Sequence, residues 1–144
     1  MTAKELYNEA MRRTDAGDQE GFLALFAEDC HWLVPGAELS GRDQLRQWVT
    51  PFWQGFSTFR HDLERTIAAT DDVVFGEGTW TGTNDGPLVM PDGELPPTGR
   101  TVSFRFAIAG TRAADGEHIQ GVNLYFDQVG FLGQLGVLPE SAAA

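Results

Sequence analysis

Cysteine is almost missing from this chain: one residue, Cys30, stands among 144, so no disulfide can form within it and no zinc-ligand pattern surrounds it. At the start of an apolar strand it reads as a small buried side chain. Basic residues are scarce too. Ten Lys and Arg stand against 21 Asp and Glu, giving a formal net charge of -11 and a pI of about 4.5, a field that repels phosphate backbones and anionic lipid surfaces. Nucleic acid and membrane are therefore excluded as expected partners. No apolar run approaches the roughly 20 residues of a membrane helix, and no charged segment followed by an apolar one opens the chain. A cytoplasmic protein is expected.

Other motifs are lacking as well. No glycine-rich loop joins a strand to a helix in the dinucleotide or phosphate-binding pattern, no His, Cys and carboxylate cluster has metal spacing, and no serine sits in a nucleophile elbow. The expectation is chemistry with no cofactor and no metal. What the chain does have is 42% hydrophobic residues and 22% charged ones, the composition of a globular domain, and one domain over residues 1–144 is expected.

Helical spacing of Leu6, Tyr7, Ala10 and Met11 predicts a helix from Thr2 to Arg13, stopped by Asp15-Ala16-Gly17-Asp18. Asp18 then caps a short helix carrying Phe22, Leu23, Leu25 and Phe26 that ends near Glu28. Cys30 to Val34 reads as a strand broken by Pro35-Gly36, and Arg42 to about Trp53 as a third helix that Pro51 bends or shortens. From Ser57 the period changes to two. Phe59, His61, Leu63, Arg65 and Ile67 alternate with polar residues, Val74–Thr83 and Thr101–Thr111 are rich in β-formers, and a last apolar strand runs from Ile119 to Phe126. Turn signals at Asp71-Asp72, Asp85-Gly86 and Asp115-Gly116 suit an antiparallel meander. Asn84 to Gly99, with Pro87, Pro91, Pro96 and Pro97, reads as a loop, and Ala142-Ala143-Ala144 as a frayed end. Helices first and long strands afterwards predict an α+β fold with the helices on the concave face of a curved sheet. That leaves a concavity suited to a small ligand.

The candidate site begins with Asp127, a carboxylate at the end of an apolar strand. Alternation puts Asn123 and Tyr125 on its face, a plausible pocket wall. Asp127 has two readings, a general acid/base raised toward neutrality by burial, or the N-cap of a helix beginning near Val129. Of the three histidines, His61 shares a face with Leu63 and Ile67 and points into the cone as a proton partner or oxyanion donor. His31, opposite in phase to Trp32, is a second candidate, and His118, near a turn, reads as solvated. Trp32, Trp80, Phe104 and Phe106 offer aromatic walls for a flat ligand. Glu77 and Arg105 fall on the outer phase.

Several signatures occur in one order: Gly17-Asp18, Glu28-Asp29 before His31-Trp32, Pro35-Gly36, Ser40-Gly41-Arg42, Gly78-Thr79-Trp80-Thr81-Gly82-Thr83, Gly86-Pro87, Pro97-Thr98-Gly99-Arg100, Asp115-Gly116, and Tyr125-Phe126-Asp127 with Gln134-Leu135-Gly136. This series resembles the SnoaL-like polyketide cyclase family of the nuclear transport factor 2-like superfamily over nearly the whole chain. The resemblance implies a cone-shaped α+β barrel, a homodimer through the outer face of the sheet, and an aspartate near the end of the last strand, matched by Asp127, as acid/base. It implies cofactor-independent aldol cyclisation, isomerisation or a related lyase-type step on a hydrophobic carbonyl compound such as a polyketide. A binding protein for an apolar ligand, and a homodimeric interaction module with a vestigial pocket, are the alternatives. Departures are visible. His31-Trp32-Leu33 stands where steroid isomerases of the superfamily carry a carboxylate, Glu77-Gly78-Thr79 replaces the Arg-x-Asp pair of its epoxide hydrolases, and Gly121 and Asn123 stand where many relatives carry Glu and Trp.

Overall fold

The structure is a computed structural model that describes residues 1–90 and 92–138; Pro91 and the Ala142-Ala143-Ala144 end lie outside the described residues. Helix α1 (Ala3–Asp15) begins in a capping box in which Thr2 accepts from the Glu5 N–H and Glu5 reaches back to Thr2. It buries Leu6, Tyr7 and Ala10, the stripe the sequence shows. Helix α2 (Gln19–Ala24) is capped by Asp18, as expected, but ends four residues earlier than Glu28. The chain is already extended at Phe26, and strand β1 (Phe26–Val34) absorbs Phe26 and Glu28. A short β2 (Ala37–Ser40), which the sequence reading does not include, pairs back on β1. Helix α3 (Arg42–Gly55) runs past Pro51.

The strands that follow are β3 (Phe59–Ala68), β4 (Val73–Thr83), the small β5 (Leu88–Met90) and β6 (Gly93–Leu95), β7 (Thr101–Arg112) and β8 (Ile119–Phe126), before α4 (Gln128–Leu135). Their order in the main sheet is β2-β1-β8-β7-β4-β3. Four long strands form the expected antiparallel meander, and β1 adds to it in parallel with β8. The Asn84–Gly99 segment is not bare loop, since β5 and β6 pair within it as a separate hairpin.

Alternation decides the two faces. Val74, Gly76, Gly78, Trp80 and Gly82 of β4 and Val102, Phe106, Ile108 and Gly110 of β7 are buried against the helices. The outer face carries surface ion pairs, Glu77 with Arg65 at 3.4 Å and Glu64 with Arg105 at 2.6 Å. A register shift between Leu63 and Arg65 breaks the phase of β3. One extra residue swaps every later side chain to the other face, so Ile67 does not share the face of His61; it pairs with Phe75 outside, the two exposed at 52% and 48%.

Asn84 ties three segments of the chain together. It is fully buried, its amide N–H groups donate to the carbonyls of Gly55 at 2.8 Å and Gly86 at 3.0 Å, and its Oδ1 accepts from the Thr98 backbone at 2.7 Å and hydroxyl at 2.9 Å. The end of α3, the hairpin segment and the entry to β7 thus meet on one side chain. Asn84→Ala leaves several of these groups unpaired in the interior, and a loss of about 3 kcal/mol of stability is expected, read as a lowered urea midpoint with unchanged slope.

Candidate functional site

Between α1–α3 and the inner face of the sheet lies a cavity of about 100 Å³. Its wall is aromatic. Contacts run from Phe22 to Phe26 (ring centroids 4.9 Å), to Trp32 (5.3 Å), to Trp48 (6.5 Å) and to Phe52 (5.1 Å). They continue to Trp80 (6.2 Å), Phe59 (5.4 Å) and Trp53 (5.6 Å), and return to Phe22 at 5.7 Å. Every ring of this circuit lines the cavity, and the spacings fall in the range aromatic pairs prefer. Phe104 stacks on Trp80 at 5.0 Å, and Phe131 of α4 packs on Phe104 at 5.2 Å.

Among the described residues, His61 and Tyr7 are the only titratable side chains in the lining. On the third residue of β3, His61 is carried inward beside Phe106, 5.4 Å between centroids, with 13% of its side chain exposed. Asp15, the last residue of α1, meets it. The carboxylate accepts the His61 backbone N–H at 3.0 Å and stands 2.7 Å from Nδ1. A carboxylate only accepts, so Nδ1 carries the hydrogen and donates it, and Asp15 leaves Nε2 unengaged. The carboxylate fixes the orientation of the ring. The sequence separates the two residues by 46 positions and offers Asp15 only as a helix stop, so nothing short of the fold brings them together.

Three further polar groups are orphaned. Among the described residues, the buried side-chain polar atoms without a hydrogen-bond partner are Tyr7 Oη, Trp32 Nε1 and Trp53 Nε1. All three residues line the cavity. Burial pushes the Tyr7 hydroxyl far above the usual phenol range, so it stays a neutral donor. Cys30 is buried in β1, and burial raises its thiol as well. Among the described residues no group of three or more His, Cys, Asp or Glu side chains is placed to hold a metal ion, and no helix is long and apolar enough to cross a membrane.

The expected site residues divide cleanly. His61, Trp32, Trp80, Phe104 and Phe106 come together in the cavity wall. Asp127, Asn123, Tyr125 and His31 do not. On β8 the cavity side is Val122, Leu124 and Phe126, so Asn123 and Tyr125 alternate to the outer face, where Tyr125 is 59% exposed. Asp127 is exposed and accepts the Gly130 N–H at 2.9 Å as the N-cap of α4. That cap orients Phe131 into the aromatic wall. His31 is exposed on β1, in opposite phase to buried Trp32, and His118 is tied at the surface to Asp115, 2.6 Å away.

Comparison with known proteins places this geometry. No curated protein matches the sequence significantly. Among solved structures, a candidate hydroxylase, AclR of Streptomyces galilaeus, superposes with a TM-score of 0.78 at 19% identity, covering 96% of this chain and 87% of its own. A candidate polyketide cyclase of Pseudomonas putida KT2440 gives 0.74 at 22% identity, covering 93% and 98%. A protein of Catenulispora acidiphila with a ketosteroid isomerase-like fold, crystallised with trimethylamine, gives 0.72 at 19%, covering 95% and 96%. At such identities these likenesses speak for the fold alone, helices on a curved sheet. The SnoaL-like domain model matches residues 5–120, most of the sequence, and the chain belongs to that family.

Proposed function

We propose that the protein is a cofactor-independent acid/base catalyst for a small hydrophobic carbonyl compound, with His61 as the proton-transfer group and Asp15 as its positioning residue. The observation that carries this reading is the Nδ1 contact of 2.7 Å to Asp15 in a mainly aromatic wall. The imidazole Nε2 takes a proton from the carbon beside a carbonyl, and the electron pair moves into the enolate. The imidazolium formed is stabilised by the Asp15 carboxylate. The same nitrogen then returns the proton, to another carbon in an isomerisation or to the alkoxide oxygen of an aldol closure. Atoms balance without any redox partner. The acid/base role expected for Asp127 passes to His61, because an exposed carboxylate already engaged as a helix cap has neither the burial nor the access that role needs.

The cavity bounds the substrate. Its roughly 100 Å³ is about two thirds of the ~150 Å³ of an engineered apolar cavity that takes up benzene, so one ring carrying a short chain is the upper bound. A pure binding function is the competing reading, favoured by how little of the wall is polar. Proton exchange separates the two. Wild-type protein in D₂O is expected to speed deuterium incorporation beside the carbonyls of octane-2,7-dione, followed by NMR. His61→Gln is expected to lower that rate by about a hundredfold or more, and Asp15→Asn to lower it substantially with binding retained. Equal rates for wild type and His61→Gln would leave only the binding function.

A homodimer through the outer face of the sheet is part of the same proposal. Rows of cross-strand partners, Ile67-Phe75-Ala109-Asn123 and Arg65-Glu77-Ala107-Tyr125, run across that face, and Ile67, Phe75 and Tyr125 are its exposed large apolar groups. Buried in a dimer, these would supply its apolar centre. The double change Phe75→Arg with Tyr125→Arg is expected to turn a dimer into a monomer in light scattering, with the circular dichroism spectrum unchanged; a wild-type monomer at high concentration would exclude the interface.

A further inference from the structure

The cavity has a second polar end. Tyr7 is 4% exposed, its hydroxyl has no partner, and its ring edge lies over Gly76 of β4, where an added Cβ would come within 2.8 Å of it. His61 pairs across the sheet with Trp80 of the same strand. Two independent rulers then measure the separation. From Tyr7 to Asp15 is eight residues of α1, about 12 Å along a helix, and from Gly76 to Trp80 is four residues of β4, about 13 Å along a strand. The helix and the strand agree that the orphaned hydroxyl and the base occupy opposite ends of one cavity. Trp32 joins the Tyr7 end by register, pairing with Val122, which pairs with Gly110, which pairs with Val74; Val74, Gly110 and Val122 also line the small void of about 10 Å³ that Tyr7 borders.

We propose that Tyr7 is a binding residue for the far end of the ligand, donating its hydroxyl hydrogen to a carbonyl-type oxygen of a neutral, elongated molecule whose second carbonyl, with the reacting carbon next to it, sits beside His61. The inference rests on the proposed role of His61 only for which end reacts. A buried donor left unpaired costs about 1–3 kcal/mol, and an acceptor on the ligand removes that cost. The orphaned groups, Tyr7, Trp32 and Trp53, are all donors, and among the described residues the lining contains no Lys or Arg. Donors without a cation select a neutral oxygen, since an anion entering this wall loses its water with no opposite charge in return. The net charge of -11 opposes an anion further. The class is a ketone or related neutral carbonyl compound, and a carboxylate is rejected.

Three probes of nearly one shape test this by quenching of tryptophan fluorescence: 4-phenylbutan-2-one, butylbenzene, which lacks the oxygen, and 3-phenylpropanoate, which carries a charge. Wild-type protein is expected to bind the ketone about tenfold more tightly than butylbenzene, the effect of one good hydrogen bond, and the carboxylate weakest. Tyr7→Phe removes only the hydroxyl, so its melting temperature should be equal or higher, and the ketone's advantage over butylbenzene should fall by about five- to tenfold. His61→Gln should leave that advantage in place, which separates this anchor from the proton-transfer reading. An advantage unchanged in Tyr7→Phe, or a carboxylate bound as tightly as the ketone, overturns the proposal.

Discussion

Aromatic side chains are wide, flat and stiff, and eight of them drawn from α2, α3, β1, β3 and β4 touch in a closed circuit. Aliphatic side chains in those positions could rotate to fill the space they surround. Rings packed mostly at a tilt against one another cannot, because each is fixed by its two neighbours, and the middle stays open. The cavity is thus a by-product of how the core is stabilised. The same contacts that bury the most apolar area also keep helices and sheet apart at the height of a ligand.

That dependence explains the placing of the polar groups. A wall of rings offers nothing for a carboxylate or an imidazole to bond, so such groups enter only where a helix or strand end brings a partner with them. Asp15 closes α1 and His61 opens β3, and each is satisfied by the other. Asp127 finds its partner locally, in the backbone of α4, and has no reason to turn inward. Gln134 shows the same economy at the rim: its amide donates to the Ser103 carbonyl and accepts the Ser103 N–H, both at 2.8 Å, completing β7 where β8 has already ended at Phe126.

Local rules recovered much of this from the sequence. The α1 and α3 stripes, the Asp18 cap, the inner faces of β4 and β7 and the outward Glu77 and Arg105 follow from period and capping alone. The phase of β8 did not, because both of its faces carry apolar residues, Val122, Leu124 and Phe126 on one and Tyr125 on the other. Alternation states that they differ and is silent on which is inside; register against Ala107 and Ala109 settles it. The extra residue in β3 is equally hidden, since Glu64 looks like any polar position of an alternating strand. Long-range pairing was out of reach altogether: β1 lying parallel to β8, and Asp15 meeting His61, are properties of the closed cone.

The bare inner surface of β4 has a consequence for change over time. Gly76 touches Tyr7 and nothing that a ligand would contact is altered in its own chemistry by replacing it, yet a methyl group there would push the phenol along the cavity. The length of the cavity at its Tyr7 end is therefore governed from beneath, by a residue with no side chain. The shape of that end can drift through the scaffold while the contact of Asp15 with His61 stays as it is.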